Sequence, residues 1–143
     1  MIEGFDPRLT EVPSPLAQTL GFEMTGWSEG FAQIEAPLAA HLMNRQGIPH
    51  GGVFSAMLDT AMGFCGCFTG DPDMKQNALT LSMTVNYLSQ AQGTHLIAAA
   101  HVTGGGRSTF FAKGSLKDDT GALIATATGV FKYRARRVAA DDT

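Results

Sequence analysis

A chain of 143 residues can bury a substantial core but is short for two ordinary domains, so residues 1–143 are expected to form one unit. Its net charge of −3 argues against a general nucleic-acid binder. Charged residues make up 16 % against the usual quarter, and so bare a surface suggests that another subunit covers part of it.

Residues 1–14 are polar and Pro-containing and are expected to form an extended arm. Pro15 to Leu20 predicts a short helix, with Ser14 as its N-cap and Gly21 ending it. Phe22 to Trp27 and Phe31 to Leu38 predict two strands joined by a Ser28-Glu29-Gly30 turn. A polar loop follows from His41 to Gly52. It contains Asn44, Arg45, Gln46, Gly47 and Pro49.

The spacing of Phe54, Met57, Leu58, Ala61, Cys65 and Phe68 predicts a helix over about 53–68. Its polar groups are few, and Asp59 is the only charged residue between Gly51 and Gly70. A helix that is apolar nearly all round is normally buried. The stretch approaches membrane-spanning length, but its central acid and five glycines argue against a span, and no signal peptide is evident at the start. Cys65 and Cys67 point in different directions from one helix, so they read as reduced core thiols of a cytoplasmic protein.

Leu79, Leu81, Met83, Val85 and Tyr87 alternate with Thr80, Ser82, Thr84 and Asn86, predicting a strand with one strongly apolar face. Thr94–Val102, Arg107–Leu116 and Ala122–Tyr133 predict three more. Gly104-Gly105-Gly106 and Asp118-Asp119-Thr120-Gly121 read as the turns between them. The expected order is two strands, one helix, then four strands in meander. That gives an α+β fold in which an antiparallel sheet of about five to six strands wraps a long central helix. Residues 135–143 read as a polar tail. The basic cluster that leads into it, Lys132, Arg134, Arg136 and Arg137, is either solvated or a local anion site.

Asp59 and the glycines before it are the candidate chemistry. An unpaired buried carboxylate is costly and is kept for a task or a partner. Asp59 suits a general base toward water or a nucleophile on an acyl carbon; otherwise it is a structural carboxylate bonded to a nearby loop or to Ser55. Gly51 and Gly52 lie where a helix presents orphan N–H donors, either as an oxyanion hole or as a tight turn. Asn44 either donates to a substrate carbonyl or caps its loop. His50 shuttles a proton, positions the substrate, or orients the turn through a backbone hydrogen bond. Gly51 and Asp59 are eight residues apart. That is about 12 Å along a helix, too far for one helix to bring both to a single carbonyl. Two antiparallel copies would solve this, with Asp59 of one chain beside Gly51 of the other, which implies a homodimer.

His41, His95 and His101 lack metal-ligand spacing, and neither CxxC nor HExxH occurs, so no metal is expected. Gly104 to Thr109 superficially matches a phosphate loop but lacks its lysine and helix, although Arg107 and Ser108 could still meet a phosphate.

The run from Asn44 to Asp59, with Asn-x6-Gly-Gly-x6-Asp and a histidine before the glycines, resembles the signature of hotdog-fold acyl-CoA thioesterases of the phenylacetate-degradation type. The likeness extends from about Leu16 to Tyr133. It implies a helical sausage in a sheet bun, sheets joined edge to edge in a dimer, and dimers pairing into a homotetramer. It further implies that the Gly51 N–H, helped by Asn44, polarises the thioester carbonyl while Asp59 of the partner activates water or attacks directly. Thr80 matches a hydroxyl that holds the water in some relatives, though strict alternation puts it on the polar side of its strand. Coenzyme A is implied only as part of the substrate, with its phosphates on Arg107 and on Arg134, Arg136 and Arg137 of the tail. The acyl group is expected in a tunnel lined by Phe54, Met57, Leu58, Met62 and Phe64. An acyl-CoA binder without catalysis and an enoyl-CoA hydratase are the alternatives.

Overall fold

The computed structural model describes residues 2–138. Helix α1 is Pro15–Leu20. The Ser14 hydroxyl accepts from the Ala17 N–H at 3.1 Å, and Gly21 ends the helix with φ 76°. Strands β1 (Glu23–Ser28) and β2 (Phe31–Pro37) form the first hairpin. Helix α2 is Gly51–Cys65, so it begins two residues before the expected start and ends three before the expected stop. His50 accounts for the early start, because its ring caps the glycines. At the other end, Gly66 caps the helix, and the Trp27 indole N–H donates to the Phe64 carbonyl at 2.9 Å.

The remaining strands are β3 (Met74–Lys75), β4 (Ala78–Tyr87), β5 (His95–Gly105), β6 (Thr109–Asp118), β7 (Leu123–Tyr133) and β8 (Arg137–Val138). Six of them make an antiparallel sheet in the order β1-β2-β5-β6-β7-β4. The expected four-strand meander is therefore corrected. β5, β6 and β7 do meander, but β4 lies across the sheet beside β7, and its other edge is open among the described residues. A two-stranded β3–β8 pair draws residues 137–138 out of the expected loose tail, while residues 139–143, with Asp141 and Asp142, lie outside the described residues.

The helix lies close to the sheet because the floor beneath it is small. Ala98, Ala100, Ala112 and Gly114 alternate inward from β5 and β6, and a Cβ on Gly114 would come within 3.1 Å of Leu58. Met57, Leu58 and Met62 are fully buried over this floor, and each such side chain contributes roughly 1.5–3 kcal/mol. Phe110 and Phe131, stacked at 5.0 Å, fill the space near the C-terminal end of α2. Among the described residues no helix is long and apolar enough to cross a membrane.

The alternation of β4 is broken. Thr80 pairs with Phe131 and Ser82 with Val130, so Leu81 is an extra bulged residue. The bulge reverses the facing of the strand. Thr80 joins Met83, Val85 and Tyr87 on the helix side, and Leu79 turns outward beside Lys132. Leu79 and Leu81 are 51 % and 56 % exposed, so the expected single apolar face does not form.

Candidate active site

Gly51, Ser55 and Asp59 recur every four residues on α2 and form one face, directed toward β4. Asp59 is half-buried, less than the sequence suggests, and it has a partner. The Thr80 hydroxyl donates to its Oδ1 at 2.7 Å. That bond depends on the Leu81 bulge, which turns Thr80 from the expected polar side toward the helix. Asp59 Oδ2 has no hydrogen-bond partner among the described residues, so it remains able to accept a hydrogen bond.

The two glycines differ. The Gly52 N–H donates to His50 Nδ1 at 2.8 Å, and the Val53 N–H to the His50 carbonyl at 3.0 Å. Among the described residues the Gly51 N–H alone of these three lacks an acceptor. The Gly52 N–H is thus engaged by the cap within the chain. His50 orients the turn: accepting at Nδ1 puts the proton of the neutral ring on Nε2.

Asn44 closes its own loop. Its Oδ1 accepts from Gln46 N–H at 2.9 Å and Ile48 N–H at 3.4 Å. This uses only the oxygen and leaves the Nδ2 donors for another acceptor. A bridge between Met43 and Pro49 brings this loop back to the start of α2.

The expected acyl-tunnel residues fare differently. Phe54, Met57, Leu58 and Met62 are buried between helix and sheet, where they pack as part of the core. Their apolar spacing is the same for either role, which is why the pattern did not separate them. An apolar cleft of about 360 Å3 opens instead on the β1 side of α2. It is lined by Phe5, Val12, Phe22, Met24, Ile34 and Phe64, and no sequence pattern marks it because the arm and strand residues are far apart in the chain.

Arg107, Ser108 and Arg134 are brought together. With Arg136 and Tyr133 they line an open groove of about 490 Å3 beside Gly66, at the C-terminal end of α2. The groove is built as well as charged. Gln76 is buried; its Nε2 donates to the Arg134 backbone carbonyl at 2.5 Å, and Arg136 Nε donates to the Gln76 side-chain Oε1 at 3.1 Å.

Sequence reasoning missed Tyr87. Its hydroxyl is hydrogen-bonded to the Ser55 hydroxyl, and a Cβ on Gly51 would lie 3.3 Å from its ring. A tyrosine on the apolar side of a strand reads as core, and only the fold sets it against α2.

Burial pushes the Cys65 and Cys67 thiols up to about 12, so they stay protonated and inert. Among the described residues no three His, Cys, Asp or Glu side chains are grouped to hold a metal ion.

A family model described as the thioesterase superfamily matches residues 46–125. No curated protein matches the chain. Among solved structures, a thioesterase family protein from Silicibacter pomeroyi is 27 % identical, with a TM-score of 0.74 over 84 % of this chain and 89 % of that one. A Bacillus halodurans protein whose structure was determined with CoA is 26 % identical, with a TM-score of 0.72 over 86 % and 78 %. The E. coli PaaI protein of the phenylacetic acid degradation operon is 21 % identical, with a TM-score of 0.74 over 85 % and 86 %, a likeness of fold. The long helix wrapped by a six-stranded antiparallel sheet is their hotdog arrangement.

Proposed function

Because the chain belongs to the thioesterase superfamily, we propose that it hydrolyses an acyl-CoA thioester at a site shared by two copies of itself. One observation carries this reading. The orphan Gly51 N–H and the Thr80-held Asp59 carboxylate share one face of α2, and that face runs beside the open edge of β4. They remain about 12 Å apart along the helix, too far to act on one carbonyl within one chain. A second copy pairing at β4, with its α2 antiparallel, brings Asp59 of each chain beside Gly51 of the other. The exposed Leu79 and Leu81 support an occupied edge, since an open apolar edge strand otherwise invites aggregation.

In this arrangement the carbonyl oxygen accepts from the Gly51 N–H and from Asn44 Nδ2. Both donors are preorganised, so they stabilise the negative charge that grows as the carbonyl carbon becomes tetrahedral. Thr80 holds Asp59 Oδ1, and Oδ2 takes a proton from water as the water oxygen bonds to that carbon. The C–S bond then breaks, the proton passes to the departing thiolate, and the products are a free acid and coenzyme A. Arg107 and Arg134 bind the CoA phosphates in the groove beside Gly66, and the CoA held by the Bacillus halodurans relative supports that ligand class.

The test is a thiol-release assay over a panel of acyl-CoA substrates. Asp59→Asn keeps the shape of the side chain but removes the base, and is expected to lower kcat by roughly 10²–10⁴-fold with little change in KM. Turnover close to that of the unmodified protein would reject the mechanism. Acyl-CoA binding without thiol release from the unmodified protein would instead indicate a carrier.

A further inference from the structure

Ser55 and Tyr87 occupy the helix face between the two halves of the proposed site, and the mechanism uses neither. The Tyr87 ring lies along Gly51, with Cε1, Cδ1 and Cζ at 3.3, 3.7 and 3.8 Å from where a Cβ would stand. Its hydroxyl is occupied by Ser55, one helical turn beyond Gly51. Phe54 backs it, with ring centroids 6.5 Å apart. Tyr87 is nevertheless 55 % exposed. A flat apolar surface with its polar atom satisfied therefore borders the one free N–H at the helix start.

The direction of the substrate follows from the two ends of α2. The basic groove adjoins Gly66, past Asp59 on the chain that supplies the acid. CoA bound there leaves the carbonyl toward that end. In an antiparallel pair this is away from Ser55 of the chain that supplies Gly51, so the acyl group leaves the opposite way, over Ser55 and Tyr87. The same arithmetic limits its length. If Gly51 faces Asp59 of the other copy, Ser55 faces its own counterpart, since 55 is the midpoint of 51 and 59. The two-fold axis then passes Ser55, about 6 Å along the helix from Gly51.

We propose that the Tyr87 ring, held in place by Ser55, is the surface on which the acyl group packs, and that it selects short or compact acyl groups, one on each side of the axis. This rests on the shared-site thioesterase reading and names the substrate class for it.

The experiment measures thiol release for acetyl-, butyryl-, hexanoyl- and decanoyl-CoA with the unmodified protein, Tyr87→Phe, Tyr87→Ala and Ser55→Ala, each checked for its thermal midpoint. The unmodified protein is expected to favour the short substrates over decanoyl-CoA. Tyr87→Ala is expected to lose about tenfold or more in kcat/KM on them, mostly through KM, and to flatten the chain-length preference. Tyr87→Phe and Ser55→Ala remove the same hydrogen bond. Each is expected to cost less, and the double variant no more than either alone. An unchanged chain-length profile in Tyr87→Ala, or additive losses in the Phe and Ala pair, would overturn the inference. If Tyr87→Ala fails to fold, the Tyr87→Phe and Ser55→Ala pair decides alone. Asp59→Asn separates the two claims. Retained turnover there removes the thioesterase reading itself, whereas an inactive Asp59→Asn beside an unaltered Tyr87→Ala profile removes only the role of Tyr87.

Discussion

Asp118 carries a charge with 1 % of its surface exposed, yet it has no cationic partner among its hydrogen bonds. Its Oδ2 accepts from Gln92 and Gly93 N–H, and its Oδ1 accepts from the N–H and hydroxyl of Thr120 and from Ala122 N–H. The Gln92 bond foremost, with Thr120, holds the carboxyl down at about 2. The depressed value stabilises the fold above the unfolded pKa of about 3.9, and that stability is lost as the pH falls from there toward 2. Asp118→Asn is therefore expected to lower the thermal midpoint at neutral pH and to flatten its fall between about pH 4 and 2. Thermal scans across that range check both. Asp59 contrasts with it. The one residue ties three chain segments together, while the other keeps an oxygen free beside an open edge. Carboxylates of equal charge thus serve architecture and chemistry according to how many donors surround them.

At the scale of elements, β4 decides whether the acid has its partner. Its composition alternates without a break from Leu79 to Tyr87, but the register slips at Leu81, and that slip alone turns Thr80 toward Asp59. Deleting Leu81 removes the extra residue but leaves Thr80 opposite Phe131 and Ser82 opposite Val130, so Thr80 still faces the helix. Thiol release is then expected to stay near that of the unmodified protein, whereas Thr80→Ala lowers it, with β4 still paired to β7. A Leu81 deletion that loses as much activity as Thr80→Ala would overturn this reading of the register. Helix α2 shows the complementary lesson. Its start is set by His50 and its end by Gly66 and Trp27, so its polar face is held in fixed register against β4.

For the whole molecule, the separation of Gly51 from Asp59 makes the site a property of two chains. Mixing inactive Asp59→Asn with inactive Gly51→Val tests this directly. In a mixed dimer one site has both wild-type groups and the other has neither. An equal, fully exchanged mixture is expected to recover about a quarter of the unmodified activity, because half the dimers are mixed and each has one working site. Sites contained within single chains would recover nothing. The same pairing at β4 would cover Leu79 and Leu81, the most exposed large apolar side chains of that strand apart from Tyr87.

Much of the fold follows from local rules that act over a few residues. Ser14 and Gly21 bound α1 through a cap and a positive φ, and the apolar spacing from Phe54 to Cys65 makes α2 a buried helix. The Asn-Gly-Gly-Asp spacing also identified the family and its fold. What lay beyond reach depends on contacts between distant segments. Hydrophobic periodicity shows that Met57, Leu58 and Met62 are apolar, but only the Ala98–Gly114 floor makes them core. Alternation cannot reveal a bulge at Leu81, because the extra residue is defined by its partner strand. Nor can it predict that β4 crosses to β7, that His50 takes the Gly52 N–H, or that Tyr87 lies against Gly51. Short-range chemistry is written residue by residue; which groups meet is decided when the sheet closes around the helix, since pairing energy belongs to two segments and to neither alone.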